Sequence, residues 1–374
     1  MRNLTAVELT RQLLRFNTIN PPGNERDCAD HLGRLLQQGG FNVSYYEFAP
    51  GRTSLVARSG GADDKPLCFT GHIDTVPLGA APWRRDPFAG EIMDKKLYGR
   101  GASDMKSGVA AFVTAALQLG PRLAATAGVV LVITAGEETG CEGARHLERL
   151  KGVLGKAGAI IVGEPTANYP LVGHKGALWL QGRVRGVTAH GSMPERGDNA
   201  IYKAARAVTL LERFAFNVPQ HPAMGNATLN VGTFHGGINI NSVPDEALIG
   251  IDLRTLPSQH HAEVREDLER YLGNEIALTP VVDVPSMWTE SSDPWVQNVF
   301  DILTPMLGEK PQPRAVSYFT DAPSLRNVYG APPTVILGPG EPDMAHQTDE
   351  YCYLEKIEQA VAAYTEIAVK WCGL

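Results

Sequence analysis

Leu67-Cys68-Phe69-Thr70-Gly71-His72-Ile73-Asp74-Thr75-Val76-Pro77 joins an apolar run to an imidazole and a carboxylate, and this junction decides the architecture. The run 67–71 predicts a strand that is apolar on both faces, as a sheet covered by helices on both sides requires. In an open α/β sheet, chemistry collects at the carboxyl ends of the strands, where His72 and Asp74 fall. Being two apart, they point the same way from an extended chain. His72 can then bind a metal while Asp74 accepts its other ring N–H. Taken alone, the pair fits a buried histidine beside an acid equally well.

The same style continues on either side. Strands are predicted at 42–47, 54–57, 129–134 and 159–162, with helices at 25–38, 106–119 and 142–150. Thr5-Ala6-Val7-Glu8 has the form of a capping box opening a helix with Leu9, Leu13 and Leu14 on one face, and no leader peptide is expected. Near the end a buried strand at 334–337 precedes a helix with Leu354, Ile357, Val361 and Tyr364 on one stripe. The middle differs: strands at 178–187, 228–234, 246–254 and 276–282 alternate with helices at 199–213 and 262–272. That β-α-β-β-α-β order is the order of a ferredoxin-like sandwich. The expected architecture is an α/β domain of residues 1–177 and 287–374, with a mostly parallel mixed sheet between helices, interrupted by an α+β domain at 178–286.

The length of 374 residues suits two cores better than one. A net charge of −7 argues against nucleic acid or an anionic membrane as the main partner. The longest apolar run, 129–133, is too short to span a bilayer. Five scattered cysteines without a Cys-x-x-Cys pair fit a reducing cytoplasm.

Other chemistry-bearing residues also follow predicted strands. Asp104 lies in Gly101-Ala102-Ser103-Asp104-Met105-Lys106, among Gly99, Gly101 and Gly108, where the backbone can approach an ion closely; capping the helix after it is an alternative role. Glu137 and Glu138 follow 129–134 and diverge as neighbours do in extended chain, so they have separate tasks. Glu164 precedes Pro165 after 159–162, and His346 stands in Ala345-His346-Gln347. Two imidazoles with several carboxylates suit zinc or a similar ion, and there are enough for two.

Gly71-His72-Ile73-Asp74-Thr75-Val76-Pro77, Leu97-Tyr98-Gly99-Arg100-Gly101-Ala102-Ser103-Asp104-Met105-Lys106 and Gly163-Glu164-Pro165-Thr166, in this order, resemble the M20 family of metallopeptidases and deacylases. The nearest branch contains the acetylornithine deacetylases and the succinyl-diaminopimelate desuccinylases. The resemblance covers nearly the whole chain and implies a zinc-exopeptidase-like fold whose inserted domain serves as lid and dimer contact. It implies two divalent ions, zinc or cobalt, held by His72, Glu164 and Asp104 and by His346, Glu138 and Asp104, with Asp104 bridging. Glu137 becomes the general base and Asp74 a catalytic partner of His72. The peptide after Asp104 is often cis in relatives. His190 of one copy would enter the partner's site and hydrogen-bond the substrate carbonyl. Arg254, with Asn241, would bind a substrate carboxylate, although an ion pair with Asp252 is an alternative.

Tyr318-Phe319-Thr320-Asp321-Ala322-Pro323 and the tail Ala345-His346-Gln347-Thr348-Asp349-Glu350-Tyr351 favour the deacetylases, and Thr320 joins the substrate-binding set. Gly136 stands where those enzymes usually carry Asp. The expected reaction is hydrolysis of an N-acyl-amino acid, N-acetyl-L-ornithine first, with succinyl-diaminopimelate, other N-acyl-amino acids and small peptides as alternatives. A non-catalytic paralogue would lack a ligand or the base, and here all are present.

Overall fold

The computed structural model describes residues 4–61 and 65–374. Contacts divide the chain into two compact units, one of residues 1–173, 288–314 and 320–374, the other of residues 174–287 and 315–319.

The larger unit is built on a six-stranded sheet ordered Asn42–Ala49, Arg52–Ser59, Val129–Thr134, Leu67–His72, Ala159–Val162, Thr334–Ile336. The last four strands run parallel, while the first two join antiparallel. Residues alternate between two covered faces. Leu67, Phe69, Leu131, Ile133 and Ile161 enter the main core with Leu32, Phe112, Phe300 and Tyr364 from helices Arg26–Gln38, Lys106–Leu119, Pro294–Leu307 and Leu354–Cys372. Cys68, Val130, Val132 and Ile160 point the other way and are also buried. There helix Glu142–Arg149 packs on strand Arg52–Ser59 and on helix Ala322–Tyr329. Both faces being dry explains why these strands lack polar alternation.

Two of these helices, Pro294–Leu307 and Ala322–Tyr329, were not read from the sequence. The first carries a plain start signal, Asp293 accepting the N–H groups of Trp295 and Val296 with Pro294 in the first turn. The stretch Lys106–Ala125 is long and apolar enough to cross a membrane by length and composition, but 67% of its most apolar 18 residues is buried. It therefore outranks 129–133 as the longest apolar element and serves as a core helix.

The second unit has a four-stranded antiparallel sheet ordered Thr228–Gly236, Glu246–Thr255, Gly176–Arg185, Ile276–Val284. Ala247, Ile249, Ile251 and Leu253 bury one face under helices Ala200–Glu212 and His261–Leu272. Asn199 caps the first helix by accepting the N–H groups of Ile201 and Tyr202. Period two then places Asp252 and Arg254 together on the opposite face. His261 fastens helix to sheet, its Nδ1 lying 2.6 Å from Asp283 and its Nε2 2.7 Å from the Thr255 hydroxyl.

Candidate active site

The strand ends gather the predicted residues of the larger unit. His72 closes its strand, and its Nε2 lies 3.2 Å from Asp104 Oδ1, 3.7 Å from Glu164 Oε1 and 4.0 Å from Glu137 Oε2. His346 Nε2 lies 3.1 Å from Glu138 Oε2 and 3.4 Å from Asp104 Oδ2. The two oxygens of Asp104 therefore face two different imidazoles, and adjacent Glu137 and Glu138 diverge toward His72 and His346.

Three readings change in detail. His72 Nδ1 sits 3.0 Å from the main-chain oxygen of Asp74, while the Asp74 carboxylate is 3.5 Å away. That carboxylate instead accepts the main-chain N–H groups of Glu137 (3.0 Å) and Glu138 (3.2 Å) and the side-chain amide of Asn20 (2.9 Å). It fixes the two glutamates as much as the histidine. Asp104 does not cap the following helix, whose cap position is Met105 with no side-chain acceptor. The Asp104–Met105 peptide is cis. Gly108 lies inside that helix, where a β-carbon would stand 2.0 Å from the Gly163 carbonyl oxygen, so its close approach is to backbone and not to an ion.

Thr320 is fully buried, and its hydroxyl accepts the Ala322 N–H at the start of a helix. Its neighbour Asp321 is the more informative residue: buried, it accepts the Thr134 hydroxyl at 2.5 Å. Burial raises the Asp321 carboxyl to about 6, against the pull of that hydrogen bond and of His72.

Gly136 adopts φ +73°, and a β-carbon there would meet Arg52 Nη2 at 2.9 Å and Phe48 at 3.0 Å. A side chain at this position would have to push aside the tips of Arg52 and Phe48 and hold a positive φ, which glycine does without strain. Arg52 is itself held by buried Glu25. Asn20, Asp321 and Glu350 had no site role in the sequence reading; Asp321 and Glu350 stand inside quoted motifs, but only their partners reveal what they hold.

In the second unit, His190 is exposed, with Nδ1 2.7 Å from the Ser192 hydroxyl, and Asn241 is brought beside it by the Gly191 N–H to Asn241 oxygen bond at 2.7 Å. Arg254 pairs with Asp252 at 2.9 Å and donates to the Ser317 main-chain oxygen.

The donor chemistry fits divalent metal. Donor atoms of His72, Glu137 and Glu164 lie within 4.8 Å of one another, as do those of His72, Asp104 and Glu138. Glu138 Oε1 is buried without a hydrogen-bond partner. Burial drives Glu137 and Glu164 well above the usual carboxylate range and Glu138 above it; Glu164 and Asp321 add repulsion at Glu137, and Asp104 does so at the other two. Such a surplus of buried negative charge calls for cations.

The imidazoles respond in the opposite sense. Hydrogen bonds from Asp104 and Glu138 lift His346 to about 10. Burial pulls His72 down, but Glu164, Asp104, Asp74 and Glu137 outweigh it and hold the ring well above its ordinary value. Both rings are therefore imidazolium at neutral pH before metal arrives, and an imidazolium cannot ligate. Metal loading at neutral pH is expected to release protons, with apparent affinity still rising above neutrality toward about pH 10, where His346 loses its proton. Calorimetry in buffers of different ionisation enthalpy counts them; no release and a flat pH profile would remove both rings from the ligand set.

Imidazoles and carboxylates at the carboxyl edge of a mixed sheet define a class, the metal-dependent hydrolases. Residues 68–370 match the peptidase family M20/M25/M40. An acetylornithine deacetylase of Vibrio cholerae serotype O1 is 31% identical over 364 residues, covering 94% of this chain and 92% of the relative. The fold is similar to that of an M20 family metallo-carboxypeptidase from Sulfolobus solfataricus (TM-score 0.82, 19% identity, 99% of each chain covered). It is also similar to that of a Bacillus subtilis protein described as a dinuclear metal binding peptidase from the M20 family (TM-score 0.71, 18% identity, 98% of each chain). The chain belongs to the M20/M25/M40 peptidase family.

Proposed function

We propose that this hydrolase uses two divalent ions to remove the acyl group from an N-acyl-amino acid, with N-acetyl-L-ornithine as substrate and L-ornithine and acetate as products. The observation that carries the two-ion reading is the pair of Asp104 contacts, 3.2 Å to His72 and 3.4 Å to His346 from opposite carboxylate oxygens. His72 and Glu164 complete one set of ligands and His346 and Glu138 the other, a donor set suited to zinc and open to cobalt. When bound, such ions polarise the acyl carbonyl and make water acidic enough to deprotonate near neutrality.

Glu137 receives the proton of the attacking water and later passes it to the leaving amine, acting as base and then as acid. Distance alone does not separate it from the ligands; the divergence of its side chain from Glu138 supports the separate task. Asp74 holds the main-chain amides of both glutamates, so the base and a ligand keep their aim through one carboxylate.

The reading gives recognition to the second unit. Arg254 offers a planar fork to the substrate α-carboxylate, which must displace Asp252 from it. Asn241 supports the same pocket. His190 acts on the acyl oxygen of a neighbouring copy in a homodimer, as oxyanion donors do. Ile238 and Ile240, beside Asn241, are 94% and 104% exposed, and among the described residues no strand pairs with the outer edge of Thr228–Gly236; both support a second copy there. Unpaired Cys28, Cys68, Cys141, Cys352 and Cys372 support a cytoplasmic enzyme, which this substrate would place in arginine synthesis.

The relative's name supports acetylornithine, while the fold's likeness to peptidases keeps small peptides as a second reading. Zinc- or cobalt-loaded protein should be assayed in parallel on N-acetyl-L-ornithine, N-succinyl-LL-diaminopimelate, other N-acetyl-amino acids and dipeptides, with and without chelator. Chelator-sensitive cleavage of acetylornithine in preference to the rest is the expected result. Cleavage of dipeptides with acetylornithine untouched overturns it.

A further inference from the structure

Glu350 follows His346 by four residues and is fully buried. Its carboxylate is filled by four donors from one short loop. Oε1 accepts the main-chain N–H groups of Ser103 (2.7 Å) and Asp104 (2.9 Å). Oε2 accepts the N–H of Gly101 (2.9 Å) and the Arg100 guanidinium (2.7 Å). The Glu350 main-chain oxygen takes the Gly99 N–H as well. Arg100 continues to the Pro77 carbonyl oxygen at 3.1 Å, in the turn beyond Asp74. Ser103 adds a second tie, its hydroxyl donating to the Tyr351 oxygen and accepting the Glu341 N–H. One side chain thus fastens the Asp104 segment to the His346 segment and, through Arg100, to the turn after His72 and Asp74.

We propose that Glu350 is a positioning residue that sets the backbone at 101–104 so that the Asp104 carboxylate addresses both imidazoles, and thereby controls how tightly the site holds its ions. The proposal rests on the two-ion reading above. All four partners of the Glu350 carboxylate are donors, so its chemistry is specified and not merely its volume. A glutamine keeps the shape but turns an NH₂ toward one pair of N–H groups, leaving buried donors unmatched. The effect falls on Asp104 first, since the amide next to its own α-carbon is one of the four. Groups that orient metal ligands in this indirect way typically change affinity by about 10- to 100-fold.

The test compares wild type with Glu350→Gln and Glu350→Asp, using chelator competition for zinc, metal content after dialysis, and the visible spectrum of the cobalt form. Circular dichroism and melting report folding separately. Glu350→Gln is expected to lose about 10- to 100-fold in metal affinity and to alter the cobalt spectrum, with Glu350→Asp, which keeps the charge, intermediate. A folded Glu350→Gln protein with wild-type affinity and spectrum overturns the proposal. Should that variant fail to fold, Glu350→Asp decides by the same readouts, and wild-type binding in it also overturns the proposal. None of these readouts depends on the substrate. Wild-type protein that binds no divalent ion would instead sink the two-ion reading itself.

Discussion

On the two-ion reading, Glu137→Gln is expected to fold, keep both metal ions and lose about 10³-fold in kcat, within the range by which positioned acid–base groups accelerate reactions. Gln fills the same volume, and the Asp74 contact is to the Glu137 main-chain N–H, so that contact survives the change. What disappears is the proton acceptor. The substitution also removes one of the mutually repelling buried carboxylates, since burial, Glu164, Asp321 and Glu138 all raise Glu137. The ion-free variant should therefore melt no lower than ion-free wild type. Steady-state kinetics paired with metal analysis separates the outcomes. Near-normal turnover means the proton goes elsewhere, and loss of metal makes Glu137 a ligand.

Asp104→Ala is expected to drop bound metal from two ions per chain to one or none, and activity with it to background. No other carboxylate lies within 4 Å of both imidazoles among the described residues, so its removal weakens both ligand sets together. Burial opposes the ionised form of Asp104, but hydrogen bonds from His346 and His72 hold it below the usual range, so at neutral pH it is a committed anion. His346→Ala provides the contrast and should cost one ion while sparing the other. Metal analysis of the two dialysed variants makes the comparison, and two ions retained by Asp104→Ala would mean that Asp104 bridges nothing.

The sequence exposed what depends on periodicity and on strand ends. Leu67–Gly71 and Val129–Thr134 read as buried strands because every position is apolar or small, and the residues that follow them stood out as polar groups with no solvated reason to be there. The β-α-β-β-α-β order of the middle section was legible from alternation such as Ala247, Ile249, Ile251 and Leu253. Residues that act through main-chain atoms stayed hidden. Glu350 looks like one acid in a polar tail, and its partners are three amides and an arginine some 250 positions away. Asn20 likewise meets Asp74 across 54 positions. Within Tyr318-Phe319-Thr320-Asp321-Ala322-Pro323 the threonine hydroxyl serves the start of a helix, while the neighbouring Asp321 holds Thr134.

His72 and His346 differ in one respect that reaches beyond catalysis. The side chain of His72 is 1% exposed and that of His346 54% exposed, with His346 on a backbone at φ +63° that non-glycine residues rarely hold. One doorway is sealed and the other stands open to the solution. On the two-ion reading, an ion on the His346 side is expected to exchange with solution before one on the His72 side.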